Sequence, residues 1–196
     1  IRRDQHLEYD IAVVLNGLSR AVTPKIGIIS PLIPSAAANK ERQGMSFLSE
    51  LKNAYDIAVI PYFRTTLPEN LNALVLIDVT ILRKEMLFAI DQFVMKGGSL
   101  VVMIDPYLRS NQNSNKVNPE PSEEINDISD LLMKYGVRYL GKDVVGDVAF
   151  SSVVTDSRQA RLSYPFWMRV RGDALSRSHP TTADLNELFL VEAGSL

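Results

Sequence analysis

The sequence predicts an α/β protein with a mostly parallel sheet, helices on both of its faces, and some antiparallel strands added in the C-terminal part. Three observations predict it. Short apolar runs alternate with segments of helical period through the first half of the chain, the pattern of repeated strand, crossover and strand. The run NALVLID, Asn72 to Asp78, lacks the alternating polarity of a half-exposed strand, as expected where both faces are covered. The stretch AIDQFVMKGGSLVVMIDP, Ala89 to Pro106, passes from a helical apolar stripe through two glycines into a strand that stops on Asp105 and Pro106.

Each element follows from its local pattern. Leu7, Ile11, Val14, Leu15 and Leu18 fall at helical spacing and predict a leading amphipathic helix that ends near Thr23 and Pro24. KIGIIS, Lys25 to Ser30, reads as a buried strand, and the small and polar residues from Pro31 to Lys40 as a loop. Phe47, Leu48, Leu51 and Tyr55 give a second helix its apolar face, with the strand DIAVIPY after it. Leu82, Met86, Ile90, Phe93 and Val94 mark a third helix with Thr80 as its N-cap; Gly97 suits the left-handed position that ends it, and Gly98 the tight entry into SLVVMID. The Asn- and Pro-rich stretch from Asn111 to Glu120 reads as an exposed loop. A helix is expected to resume at Ser122, with Glu123 and Glu124 in its first turn, burying Ile125, Ile128, Leu131, Leu132 and Tyr135 up to Gly136. VRYL, VAFSSVVT and FWMRV read as further strands, and TTADLNELFLV as a short helix running into a last one. One α/β domain is expected over residues 1–196, its core in 22–110 and its sheet completed by 119–196.

Composition narrows the function classes. The chain is 46% hydrophobic and 22% charged, which suits a packed globular domain. Its 21 basic and 23 acidic residues are interspersed, so no basic footprint for a nucleic-acid backbone exists and nucleic acid is not an expected partner. With no cysteine, thiolate metal sites, disulfides and a cysteine nucleophile are absent. The opening IRRDQHLEYD lacks both an initiator Met and a signal-peptide pattern, and it reads as a piece excised from something longer.

Ligands of open parallel sheets bind beyond the carboxyl ends of the strands. That rim carries Ser30, Tyr62, Arg64, Asp78 and Asp105, and Tyr62, Arg64, Asp78 and Asp105 are the candidate ligand-binding residues. Two carboxylates at neighbouring strand ends suit a divalent cation or acid–base work, whereas the plainer reading has each aspartate holding the turn that follows it. No Gly-rich phosphate loop, H-E-x-x-H or G-x-S-x-G motif is present, so no catalytic residue, metal or cofactor is assigned. His6 and His179 read as surface or turn residues, and the RGD at Arg171 to Asp173 as a turn. Trp167, beside Pro165 and Phe166, reads as core or interface ahead of a sugar-stacking platform.

Taken in order, LEYDIAVVLNGL, PKIGIIS, NALVLID, LFAIDQFVMKGGSLVVMIDP, DVVGD, YPFWMRV and HPTTADLNELFLVEAGSL resemble the extracytoplasmic domain of the GldG-like auxiliary component of gliding-motility-type ABC transporters. The resemblance implies a Rossmann-like, class I glutamine-amidotransferase-like fold and a non-catalytic role beside an ABC permease and its ATPase. It also implies anchoring by flanking transmembrane helices outside this chain, with the domain on the periplasmic side of the bacterial cytoplasmic membrane. The amidotransferase activity of that fold needs a nucleophilic cysteine, and this chain has none. Asp105 and Pro106 then read as the end of a strand whose rim recognises a partner. A free-standing glycan- or peptide-binding module using the same crevice ranks second, and a metal-dependent hydrolase using Asp78 and Asp105 third.

Overall fold

A computed structural model of the chain describes residues 7–33, 46–106, 125–141, 143–155 and 157–195. The expectations for His6, for most of the loop after Pro31, for the Asn-rich loop and for Ser122 to Glu124 lie outside the described residues. The chain divides into two compact units: Ile1–Ile104 with Pro119–Leu131, and Asp105–Asn118 with Leu132–Leu196.

The first unit contains α1 (Leu7–Ser19), β1 (Lys25–Ile29), α2 (Ser46–Ala54), β2 (Asp56–Ile60), β3 (Ala73–Ile77), β4 (Ile81–Arg83), α3 (Lys84–Met95), β5 (Ser99–Met103) and β6 (Ile125–Asp127). Strands β2, β1, β3 and β5 lie in that order in one sheet, and every neighbouring pair is parallel. The expected parallel sheet flanked by helices is therefore present. Its centre is dry: Ile28 and Ile29 of β1 and Leu74 and Leu76 of β3 are fully buried, as are Met86 and Ile90 of α3. Gly27 of β1 is held small by the same packing, since a Cβ there would come within 2.9–3.1 Å of Ile60, Leu71 and Leu74.

The end of α3 shows how its two glycines act. Gly97 has φ +90°, and its N–H donates to the Val94 carbonyl at 2.9 Å. The Gly98 N–H reaches back to the Phe93 carbonyl at 3.0 Å, which completes the paired hydrogen bonds of a Schellman stop. A Cβ on Gly98 would lie 2.4 Å from the Phe93 ring, so that ring occupies the space a side chain would need.

Two local expectations are corrected. The third helix starts at Lys84, with Arg83 in extended conformation before it, and Thr80 is not its cap. Residues Ile81 to Arg83 are instead drawn into antiparallel pairing with Asp127 to Ile125, so pairing outweighs helical period there. The same ladder makes Ile125 a strand residue, and α4 (Ile128–Lys134) begins later than expected. Asp127 takes the capping role, its Oδ1 accepting the Ser129 N–H at 2.7 Å. Gly136, at φ +83°, ends the turn after α4, as expected.

In the second unit β7 (Ser151–Thr155), β8 (Arg161–Arg171) and β9 (Glu187–Val191) form a separate antiparallel sheet in the order β7-β8-β9. The C-terminal strands thus pair with one another, and none of them joins the parallel sheet. VRYL forms no strand, and the TTADLN segment forms turns instead of a helix. Those turns are tied by Arg177, which donates to the Ala183 and Leu185 carbonyls at 2.8 and 3.0 Å, and by Thr182, which donates to the Ser176 carbonyl at 2.7 Å. The RGD segment ends β8 and enters a single 3-10 turn, Gly172–Ala174, with Gly172 at φ +60°. Trp167 is half-buried, edge-on to Tyr164 and to Phe189 at centroid distances of 5.8 and 6.2 Å.

On the exposed side of this sheet Glu187 is gripped by Arg169 at 2.5 Å and by Arg171. Partial desolvation raises its carboxyl, but the hydrogen bonds and positive charges of Arg171 and Arg169 outweigh that and hold it below the usual range. A carboxyl so depressed contributes stability above its unfolded value, and the contribution is lost as pH falls through the lower folded one. In an NMR titration Glu187 is expected to protonate below an ordinary glutamate, and Arg171→Gln is expected to move its midpoint back up. A midpoint unmoved by Arg171→Gln would disprove the clamp.

Candidate functional site

The order β2-β1-β3-β5 puts a topological switch at β1 and β3, because the chain leaves β1 toward β2 on one side and later enters β3 on the other. The carboxyl ends of such a strand pair form the natural crevice of an open α/β sheet. Ser30 closes β1 there and is 3% exposed. Its hydroxyl oxygen accepts the Leu32 N–H at 3.1 Å, and its carbonyl accepts the Ile33 N–H at 3.4 Å, so Ser30 builds the turn.

Asp78 stands beside it at the end of β3. Register sets Ile29 against Leu76, which makes Ser30 level with Ile77. Asp78 has φ +54°, a left-handed conformation that few residues with a Cβ adopt and that Asp tolerates better than most. Its N–H donates to the Met103 carbonyl at 2.7 Å and extends the β3–β5 ladder past the end of the strand. The backbone therefore turns sharply at the switch point, and Asp78 is the residue on the bend.

Tyr62 and Arg64 follow β2, with β1 between that strand and β3, so they lie along the rim from Asp78 and not against it. The Arg64 N–H donates to the Pro61 carbonyl at 3.0 Å and closes a tight turn. This turn presents Tyr62, 54% exposed, and Phe63, 58% exposed, in edge-to-face contact at 5.8 Å. Phe63 was not among the sequence candidates; the aromatic doublet in PYFR after a strand is the signal that marks it. Asp105 and Pro106 come after β5, where the chain enters the second unit. Pro106 packs there against Gly194, whose Cβ position would be 2.9 Å from the proline ring. Of the four sequence candidates, Tyr62 and Arg64 share one turn after β2, Asp78 marks the switch point after β3, and Asp105 follows β5, the strand paired with β3.

Among the described residues no three His, Cys, Asp or Glu side chains come together in a way that could hold a metal ion. His179 is engaged in its own turn, with Nδ1 2.7 Å from the Thr181 hydroxyl. Glu192 was also missed by sequence reading: it is 5% exposed, lies at φ +51°, and accepts a hydrogen bond from the Tyr164 hydroxyl at 3.2 Å. Nothing in a one-dimensional pattern marks a glutamate that closes a β-sheet from inside.

The fold defines an open parallel α/β module, joined in one chain to an antiparallel β unit. The chain belongs to the ABC-type uncharacterized transport system family, whose family model matches residues 23–196. It is thereby an auxiliary component of an ABC-type transport system. No curated protein and no solved structure matches the chain.

Proposed function

We propose that this chain is the non-catalytic, extracytoplasmic domain of a GldG-like ABC transporter accessory protein, of the gliding-motility or export type, that acts through protein contacts. Its partners on this reading are the ABC permease and ATPase, and transmembrane helices elsewhere in the full-length protein hold it at the periplasmic face. No helix among the described residues is long and apolar enough to cross a membrane. The observation that supports the reading is the Tyr62–Phe63 pair with Arg64 on a tight turn at the sheet's carboxyl rim. Exposed aromatics beside an arginine are the composition of protein-binding hot spots.

The test is to tag the full-length protein in its native membrane, solubilise it gently and identify what co-purifies. Permease and ATPase are expected together. Replacing Tyr62 and Arg64 with Ala should reduce their recovery by about tenfold or more, since truncation of a hot spot costs roughly 2 kcal/mol or more. Recovery of the protein alone, under conditions where a known membrane complex survives, would refute the reading.

A further inference from the structure

In the first unit two apolar surfaces face solvent, and each is of the kind that ordinarily covers the other. Helix α1 buries none of its residues. Yet Leu7, Ile11, Val14, Leu15 and Leu18 form one stripe along it and are 51–79% exposed. A helix of 13 residues is marginal in water without a packed face.

The second surface is on the sheet. Register sets Val75 beside Val101 and Ile77 beside Met103, and parallel neighbours in register point to the same face. Ile28, in register with Val75, is fully buried, whereas Val101 and Met103 at the β5 edge are 42% and 56% exposed. Cover therefore stops between β1 and β5, although parallel sheets take cover on both faces. The edge strand SLVVM carries no charge or proline to discourage a partner.

We propose that a second copy of this chain supplies the missing cover, with α1 of each protomer seated on the open β3–β5 face of the other. The dimensions agree: a helix of this length spans about 20 Å, and strands of five residues about 17 Å. The helix stripe and the sheet face bring nine apolar side chains per protomer, each with roughly 60 Å² to bury on the transfer scale. Two reciprocal contacts of this kind bury about 1,100 Å², just above the roughly 1,000 Å² that a biological interface should clear. Burial of the same patch on both protomers is the closed, two-fold arrangement that homodimers favour.

Sedimentation velocity of the chain across a wide concentration range is expected to show a monomer–dimer equilibrium. Leu15→Glu on the helix and Val101→Lys on the sheet should each leave only monomer, with an unchanged circular dichroism spectrum because both positions are exposed. The chain has no cysteine, so introduced ones report cleanly. A Leu15→Cys chain mixed with a Val101→Cys chain should yield a two-chain product with a short bis-maleimide. Any of four results would overturn the proposal. These are monomer at every concentration, a dimer that survives both charged substitutions, no two-chain product from the mixed single-cysteine chains, and a monomer that floats with phospholipid vesicles through α1.

Discussion

Ile90→Ala is expected to lower the unfolding free energy of the first unit by about 2–5 kcal/mol, the range for removing a large aliphatic side chain from a packed interior. Ile90 is fully buried, and with Met86 and Leu87 it forms the inward stripe of α3. The loss has two parts, the transfer free energy of the deleted methyl groups and the cavity left where neighbours cannot close in. Against a typical total of about 5–15 kcal/mol this is a large fraction, so the midpoint of urea unfolding should fall clearly while its slope stays unchanged. Phe88→Ala is the internal control. Phe88 lies on the same helix but is 65% exposed, and its removal should change stability by no more than about 0.5 kcal/mol. Equal losses at the two positions would mean that α3 is not oriented as described.

Gly98→Ala is expected to cost about 1–3 kcal/mol through overpacking, because the new methyl group would lie 2.4 Å from the Phe93 ring. Gly97→Ala, one residue earlier, should act by a different route. Nothing lies within 4 Å of a Cβ there, so its cost comes from holding alanine at φ +90°, about 1 kcal/mol or somewhat more. The two mechanisms separate in a double-mutant cycle. Phe93→Leu should recover much of the Gly98→Ala loss and none of the Gly97→Ala loss. Strict additivity of Phe93→Leu with Gly98→Ala would show that ring and glycine do not share that space.

The same two glycines show what a sequence can convey. Their roles were readable because a helix stop is local: three or four residues determine it, and the chain order is also the spatial order. The buried strands around Ile28 and Leu74 were readable for a similar reason, since a short run of apolar residues without alternation has few places to go. Ile81 to Arg83 failed that test. Their apolar pattern continues smoothly into α3, and only pairing with a segment far along the chain makes them a strand. Among the rim residues, the pattern placed Tyr62, Arg64 and Asp78 after the strands they follow, but it carried no information on strand order. The order leaves β1 between the two groups and so decides which residues stand together. Glu192 and the exposed stripe of α1 were invisible for the opposite reason. A glutamate reads as surface and an apolar stripe reads as core until three-dimensional packing reverses both.

The pairing of β4 with β6 also fixes an order of events during synthesis. The Thr80 carbonyl and the β4 edge find their partners only when Ile125 to Ile128 arrive, after the whole parallel sheet has been made. A nascent chain that has emerged only through β5 contains all four strands of the parallel sheet but lacks the partner of β4, and unpaired strand edges of that kind are where chains find wrong partners. Closure of the first unit waits on a return of the polypeptide from beyond it. Its folding is thus tied to the emergence of the second half of the chain, and a ribosome stalled between β5 and β6 would hold a sheet that is built but not sealed.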